Sequence, residues 1–220
     1  MGAPQVSNSL TSTEARPDRC PDPCPERWPA DWPERSAAVS VTHVGRVFQV
    51  ERLQLPPEAD GTPGMVRDVV RHPGAVTVIA VREDGAGRTP TLVLVRNRRV
   101  AVARWLLEFC AGKLERGEDP ALAAARELEE ETGYTASHIE KVGEFFTSPG
   151  FADEIMHVFV ATGLRPVPQR LEPGEVLEVV EMPEESLVSA IARGEILDGK
   201  TLGAYLLWSM KRGIASGGSR

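Results

Sequence analysis

The sequence predicts an α/β fold in which helices cover the faces of a mixed sheet. Three observations carry this. The stretches GAVTVIAVRE (74–83) and TLVLVRNRR (91–99) are Val-rich, strand-length and bounded by turn residues, as buried strands are. Asp119-Pro120 opens a segment of high helix propensity that Gly133 closes: Asp suits an N-cap, Pro the first helical position and Gly the left-handed C-cap. Near the end of the chain, PEESLVSAIARGE (183–195) and KTLGAYLLWSMKRG (200–213) repeat apolar residues at helical spacing. A strongly apolar sheet flanked by such helices packs as an α/β/α sandwich.

Taken in order, residues 1–38 form a Pro-rich tail, read as disordered or loosely docked, with Trp28 and Trp32 as its large apolar groups. Alternation begins at Val39. VSVTHVGRVFQVERLQL reads as one or two strands, PPEADGTPG as a turn and MVRDVVRH as another strand. Residues 39–70 are thus a β extension ahead of the main body, which spans 71–212. GAVTVIAVRE pairs antiparallel with TLVLVRNRR across the loop EDGAGRTP, and WLLEFCAGK is one short strand entering the next loop. After the central helix, IEKVGEFFTSP and EIMHVFVATGL are strands joined by SPGFAD, and LEVVEMP is the last strand. Leu187, Ala190 and Ile191 fit one face of the first C-terminal helix, and Leu202, Leu206 and Met210 one face of the second. Residues 213–220 make a flexible Gly/Ser-rich tail.

Composition narrows the function. The chain has 220 residues, 41% hydrophobic and 26% charged, as in ordinary globular proteins. Its net charge of −7 speaks against a nucleic-acid binder, which shows a basic patch. No apolar run has the length of a membrane span, and no secretory pattern opens the chain, so the expected compartment is the cytoplasm. Three cysteines give no disulfide framework, and Cys20 and Cys24 lack the further ligands of a zinc site. Cys110 has no adjacent His to make it a nucleophile.

The carboxylates of the central helix carry the chemistry. Glu127, Glu130 and Glu131 stand at i, i+3 and i+4 and share one helix face. Like charges at these spacings repel, and a hard divalent cation shared with substrate phosphates reverses that repulsion. A run of glutamates alone is more often a solvated face. Here, however, Gly112, Glu118, Arg126, Glu127, Leu128, Glu130, Glu131, Gly133 and Tyr134 fall at the defined positions of the Nudix signature, which this segment resembles. The resemblance covers roughly residues 67–205. It implies the same sandwich fold, a loop–helix–loop that binds Mg²⁺ or Mn²⁺, and hydrolysis of a nucleoside diphosphate linked to another group. It makes Glu127, Glu130, Glu131 and the backbone carbonyl of Ala111 the metal ligands. Arg126, next to the acidic run, suits orienting a glutamate, because a guanidinium fork holds carboxylates bidentately.

Further features are similar to the ADP-ribose pyrophosphatase branch of that family. Pro149, in SPGFADE, lies sixteen residues after Gly133, the spacing this branch shows. VRDVVRHPGAV is similar to its entry strand and GEILDGKTLGAYLL to its closing helix. The chain departs from the branch at Asn97-Arg98-Arg99, where Gln-Tyr-Arg is usual, and at Cys110-Ala111-Gly112, where Pro-Ala-Gly is usual. Arg67, Arg99, Phe48 and Pro149 are the candidate substrate contacts. Arg99 would clamp a phosphate. Phe48 would stack on adenine, with core packing the equal alternative. Glu154, on a Gly-containing loop, is the candidate general base or a further ion ligand, with neighbouring Asp153 expected to matter less. Glu108 would buttress the loop or pair with an arginine, Glu115 would be exposed, and His72 and His157 would be structural or exposed.

The leading reading is a Mg²⁺-dependent hydrolase giving AMP and ribose 5-phosphate from ADP-ribose. A second keeps the chemistry and changes the substrate to another nucleotide sugar, a dinucleotide such as NADH or FAD, or a diadenosine polyphosphate. A third is a non-catalytic nucleotide-binding regulator, which the intact Arg126, Glu127, Glu130 and Glu131 disfavour. The 39–70 extension resembles the segment this branch exchanges between subunits, which implies a homodimer.

Overall fold

The computed structural model describes residue 32 and residues 36–83 and 89–213. Trp28, Cys20 and Cys24 of the Pro-rich tail, the middle of the loop before Thr91 and the tail from Ala215 lie outside the described residues.

Two sheets form. The first is antiparallel, β1 (Ala38–Val44), β2 (Gln49–Gln54) and β3 (Val66–Arg71) in chain order, so the extension is three strands. The second is mixed. It contains β4 (Ala75–Arg82), β5 (Thr91–Arg99), β6 (Arg104–Glu108), β7 (Cys110–Lys113), β8 (Tyr134–Phe146), β9 (Ile155–Pro166) and β10 (Leu177–Pro183). Its order is β10-β5-β4-β9-β8, with β6 on β5 and β7 on β4. The β4–β9 pair is parallel. The helices are α1 (Pro120–Thr132), α2 (Glu184–Ala192) and α3 (Gly199–Lys211).

β4 is apolar along its length because both of its faces are covered. On one face, Val76, Val78, Val93 and Val95 pack against Ala123, Ala124 and Leu128 of α1. On the other, Ile79, Leu92 and Leu94 meet Leu187 and Ala190 of α2 and Ala204 and Trp208 of α3. Each fully buried Leu or Ile contributes about 1.5–3 kcal/mol. This is the three-layer arrangement the sequence predicts.

Three details differ from the sequence reading. WLLEFCAGK is two strands, not one: at Phe109 the chain leaves β5 and joins β4, and the Phe109 N–H donates instead to the Thr201 hydroxyl at 3.0 Å. β8 and β9 extend well past their most apolar parts, because pairing with each other satisfies their backbones. In α3 only the first residue of the predicted stripe faces the core: Leu202 packs against it, but Leu206 and Met210 are 55% and 60% exposed, while Ala204 and Trp208 are buried. The register of α3 is set at its start, where the Asp198 side chain accepts from the Thr201 N–H at 2.9 Å and Thr201 meets Phe109. That turns Trp208, with the larger area to bury, inward.

Candidate active site

The site begins with α1 and its two ends. Asp119 Oδ1 accepts from the Ala121 and Leu122 amides at 2.8 and 3.3 Å, and Pro120 follows as the first helical residue. At the other end Gly133 takes φ 67°, ψ 32° and its N–H donates to the Glu129 carbonyl at 3.0 Å. A Cβ at Gly133 would stand 2.9 Å from the Val167 carbonyl oxygen, so both conformation and space require glycine there. The helix is thereby fixed in place over β4 and β7, with Glu127 and Glu131 turned inward.

Glu127 and Glu131 are 9% and 5% exposed, a depth that glutamate rarely reaches unless paired. Both lie on the backbone of β7. Glu131 Oε2 accepts from the Ala111 N–H at 3.0 Å. The Glu127 carboxylate fills the space beside Gly112, where a Cβ would come within 1.9 Å of its Oε1. Burial raises the Glu127 pKa against the pull of Arg126, and pushes Glu131 up to about 8, with the Ala111 N–H opposing and Glu127 adding to the rise. Two buried carboxylates this close have a charge to share with a cation.

Arg126 organises the rest of the cluster. Its Nε and Nη2 hold both oxygens of Glu118 at 3.0 Å, and its Nη1 donates to Glu127 at 2.6 Å and Glu130 at 3.2 Å. These carboxylates raise its pKa, that of Glu118 most of all. Arg126 thus touches Glu118, Glu127 and Glu130 at once. Glu130 is drawn to Arg126, while Glu127 and Glu131 face β7. Among the described residues no three His, Cys, Asp or Glu side chains converge as a ready metal cage. The donors nonetheless suit a hard ion: two carboxylates beside a main-chain carbonyl, around a glycine that leaves room, match an ion that keeps waters and takes substrate phosphates as further ligands.

Arg99 is placed differently from a free phosphate clamp. Its guanidinium fork is engaged by Glu108, with Nε to Oε1 at 2.9 Å and Nη2 to Oε2 at 2.7 Å, and this contact raises its pKa. Glu108 is fully buried and also ion-paired to Lys200, which meets Asp198 at 2.9 Å. Glu108 therefore pairs with an arginine as anticipated. Lys200, which sequence reasoning left without a role, shares that carboxylate, and its place beside the Asp198 cap was the one local signal.

Glu154 sits at the end of the sheet that carries Gly112: Ala75 of β4 pairs with Lys113 of β7 on one side and Met156 of β9 on the other. Its Oε2 accepts from the Thr147 hydroxyl at 2.6 Å, and its Oε1 is 3.5 Å from His72 Nδ1. Asp153 is not a bystander. It accepts from the His72 N–H at 2.8 Å and from Arg71 Nη1 at 3.2 Å, so it anchors the loop. His72 packs between these carboxylates, and burial lowers its pKa.

Pro149, Arg67 and Phe48 are exposed, and Phe48 is therefore not a core residue; its ring lies 6.3 Å from that of His43. Arg67 pairs with Leu53 across β2 and β3. Glu115 is exposed, and His157 meets Glu144 at 3.1 Å. Cys110 is fully buried, and burial holds its thiol far above the usual range, so it is packing. Sequence reasoning also missed Glu175, which adds to the raised pKa of both Glu127 and Glu131 from the β9–β10 loop.

The chain matches the NUDIX domain over residues 71–202. It is 38% identical over 185 residues to the ADP-ribose pyrophosphatase of Bacillus subtilis (strain 168), covering 82% of this chain and 95% of that protein. It is 41% identical over 162 residues to the methanol dehydrogenase activator of Bacillus methanolicus, covering 72% and 83%. The crystal structure of an ADP compounds hydrolase superposes with a TM-score of 0.63 at 24% identity, over 80% of this chain and 94% of that one, which shows the shared fold. The chain belongs to the Nudix family and is an enzyme, a phosphoanhydride hydrolase similar to the ADP-ribose pyrophosphatases. These two relatives carry different names, so membership alone does not fix the substrate. No helix among the described residues is long and apolar enough to cross a membrane.

Proposed function

We propose that the chain hydrolyses ADP-ribose to AMP and ribose 5-phosphate with Mg²⁺ or Mn²⁺. The observation that carries the metal chemistry is the pair of buried carboxylates, Glu127 and Glu131, seated on the Ala111–Gly112 backbone. The substrate reading is supported by the Pro149 loop and by the likeness to the Bacillus subtilis enzyme.

Divalent cations at this position supply charge to offset the pyrophosphate oxygens and make water a better nucleophile. Glu127, Glu131, Glu130 and the Ala111 carbonyl would hold them. Arg126 fixes the direction of Glu127 and Glu130 through the contacts above. Glu154 accepts the proton of the water that attacks phosphorus as the bridging P–O bond breaks. Thr147, donating to the other end of that carboxylate, limits its rotation. Arg67, Phe48 and Pro149 remain the candidate substrate contacts, and Arg99 acts on phosphate only with the part of its charge that Glu108 leaves. The substrate class fits the cytoplasm, where nucleotides turn over.

We further read the extension as a homodimer surface. All seven residues of β1 are exposed, and Val41, Val44, Val47 and Val66 are each about half exposed. Among the described residues β1 pairs with β2 alone and is an edge strand. An apolar open edge is a template for another strand, and a second copy of this chain is its occupant.

The deciding experiment is turnover of the purified protein with Mg²⁺ against ADP-ribose, nucleotide sugars, NADH, FAD and diadenosine polyphosphates. The highest kcat/KM is expected with ADP-ribose. A clear preference for another member of the panel replaces that substrate, and no turnover of any member removes the pyrophosphatase reading.

A further inference from the structure

The loop between β8 and β9 carries Glu154, and it is tied to the N-terminal sheet rather than left to solvent. Val70 of β3 donates its N–H to the Phe151 carbonyl at 2.8 Å and accepts from the Asp153 N–H at 3.1 Å, a parallel bridge between β3 and the loop. Both carboxylate oxygens of Asp153 are used: Oδ1 by the His72 N–H and Oδ2 by Arg71 Nη1.

Arg71 is in turn held from the neighbouring strand β2. Its Nε donates to Glu51 Oε2 at 2.7 Å, and Glu51 Oε1 accepts from Gln49 Nε2 at 2.9 Å. Glu51 is 1% exposed and Arg71 5% exposed. A buried ion pair is poor evidence for stability alone, since apolar residues of the same volume often serve as well. Its value here is directional. Glu51 on β2 fixes the Arg71 guanidinium, Arg71 fixes the Asp153 carboxylate, and Asp153 is the residue before Glu154.

We propose that Glu51 and Arg71 are positioning residues for hydrolysis: through Asp153 they hold the β8–β9 loop so that Glu154 faces the Glu127–Glu131 site. This makes the β1–β3 extension part of the catalytic apparatus, and it rests on Glu154 being the base. Misplacing a catalytic group by about 1 Å can cost on the order of 10²-fold in rate. A loosened tether therefore appears in kcat while substrate affinity is retained.

The test compares Glu51→Gln, Asp153→Asn and Glu154→Gln with Arg52→Gln in the full chain. Arg52 makes an exposed bidentate pair with Asp68 between the same two strands and does not touch the loop. Two readouts are taken: kcat and KM with saturating Mg²⁺, and hydrogen exchange of the 148–154 amides. Glu51→Gln and Asp153→Asn should lower kcat by about tenfold or more, change KM less than about threefold, and speed exchange in the loop, while Arg52→Gln does neither. Wild-type kcat in both Glu51→Gln and Asp153→Asn overturns the proposal, as does a loss confined to KM or a loop whose exchange is unchanged. If Glu51→Gln fails to fold, Asp153→Asn decides alone, since it cuts only the last link. A fully active Glu154→Gln discards the base assignment and the positioning role with it, whereas a slowed Glu154→Gln beside fully active Glu51→Gln and Asp153→Asn overturns the positioning role alone.

Discussion

Gly112 and the Glu127 carboxylate occupy one space. A Cβ on Gly112 would stand 1.9 Å from Cδ and Oε1 of Glu127 and 2.3 Å from Oε2. Gly112 is not among the glycines with positive φ, so its backbone would accept alanine, and only the carboxylate forbids it. The glycine is there for the glutamate.

Gly112→Ala should therefore fold and fail as an enzyme. Glu127 must swing away from β7, and a displaced ligand costs about 10²-fold or more in kcat/KM. Steady-state kinetics with a Mg²⁺ titration checks this. Near wild-type kinetics at ordinary Mg²⁺ would remove Glu127 from the ligand set.

Glu131→Gln keeps the shape and an acceptor for the Ala111 N–H but loses the charge. It should lower kcat by about 10³-fold, several kcal/mol of charge stabilisation. Turnover close to wild type at saturating Mg²⁺ contradicts the assignment.

Glu154→Gln should lower kcat by about 10²-fold, the low end for a lost general base, with KM nearly unchanged. Thr147 can still donate to the amide oxygen, so the loop should keep its place. Less than about tenfold loss means that the base lies elsewhere.

Val44→Asp puts a charge on the exposed edge strand, opposite Gln49 rather than the buried Glu51. Sedimentation velocity should show a dimer for the wild type and a shift to monomer for the variant. A wild type that is monomeric at all concentrations ends the dimer reading.

His72 should give the folded protein a pH dependence. Burial lowers its pKa in the fold, against the attraction of Glu154 and Asp153 and with Lys113 repelling, while the unfolded chain titrates near about 6.5. Below that pH the unfolded state binds the extra proton, so this stability is complete above about 6.5 and is lost as pH falls through the lowered folded value. Glu131, raised to about 8, works oppositely: its contribution declines as pH rises toward that value. The comparison is therefore a difference: His72→Gln, which can still accept from the Gly74 N–H, should lose less stability than wild type between about pH 6.5 and 5 in urea titrations. Parallel curves for the two proteins would exclude His72 as the source.

The sequence by itself determined α1, its caps and the shared face of its carboxylates, because these depend on residues within a few positions: an Asp-Pro start, an Ala/Leu body, a glycine stop and the i, i+4 spacing of Glu127 and Glu131. It also determined the apolar strands β4 and β5, whose composition leaves them no solvent face. Only the tertiary structure decided which charges met. Glu108 meets Lys200 across 92 residues and takes the fork of Arg99 that spacing alone left for phosphate. Arg71 reaches Asp153 across 82 residues and makes it the anchor of its loop. The inward face of α3 was likewise settled by the Thr201 contact with Phe109 rather than by its apolar stripe. Local periodicity records the face a residue shares with its chain neighbours. It cannot record the partner brought there by a sheet, and in a buried setting that partner decides whether a charge is available to a ligand.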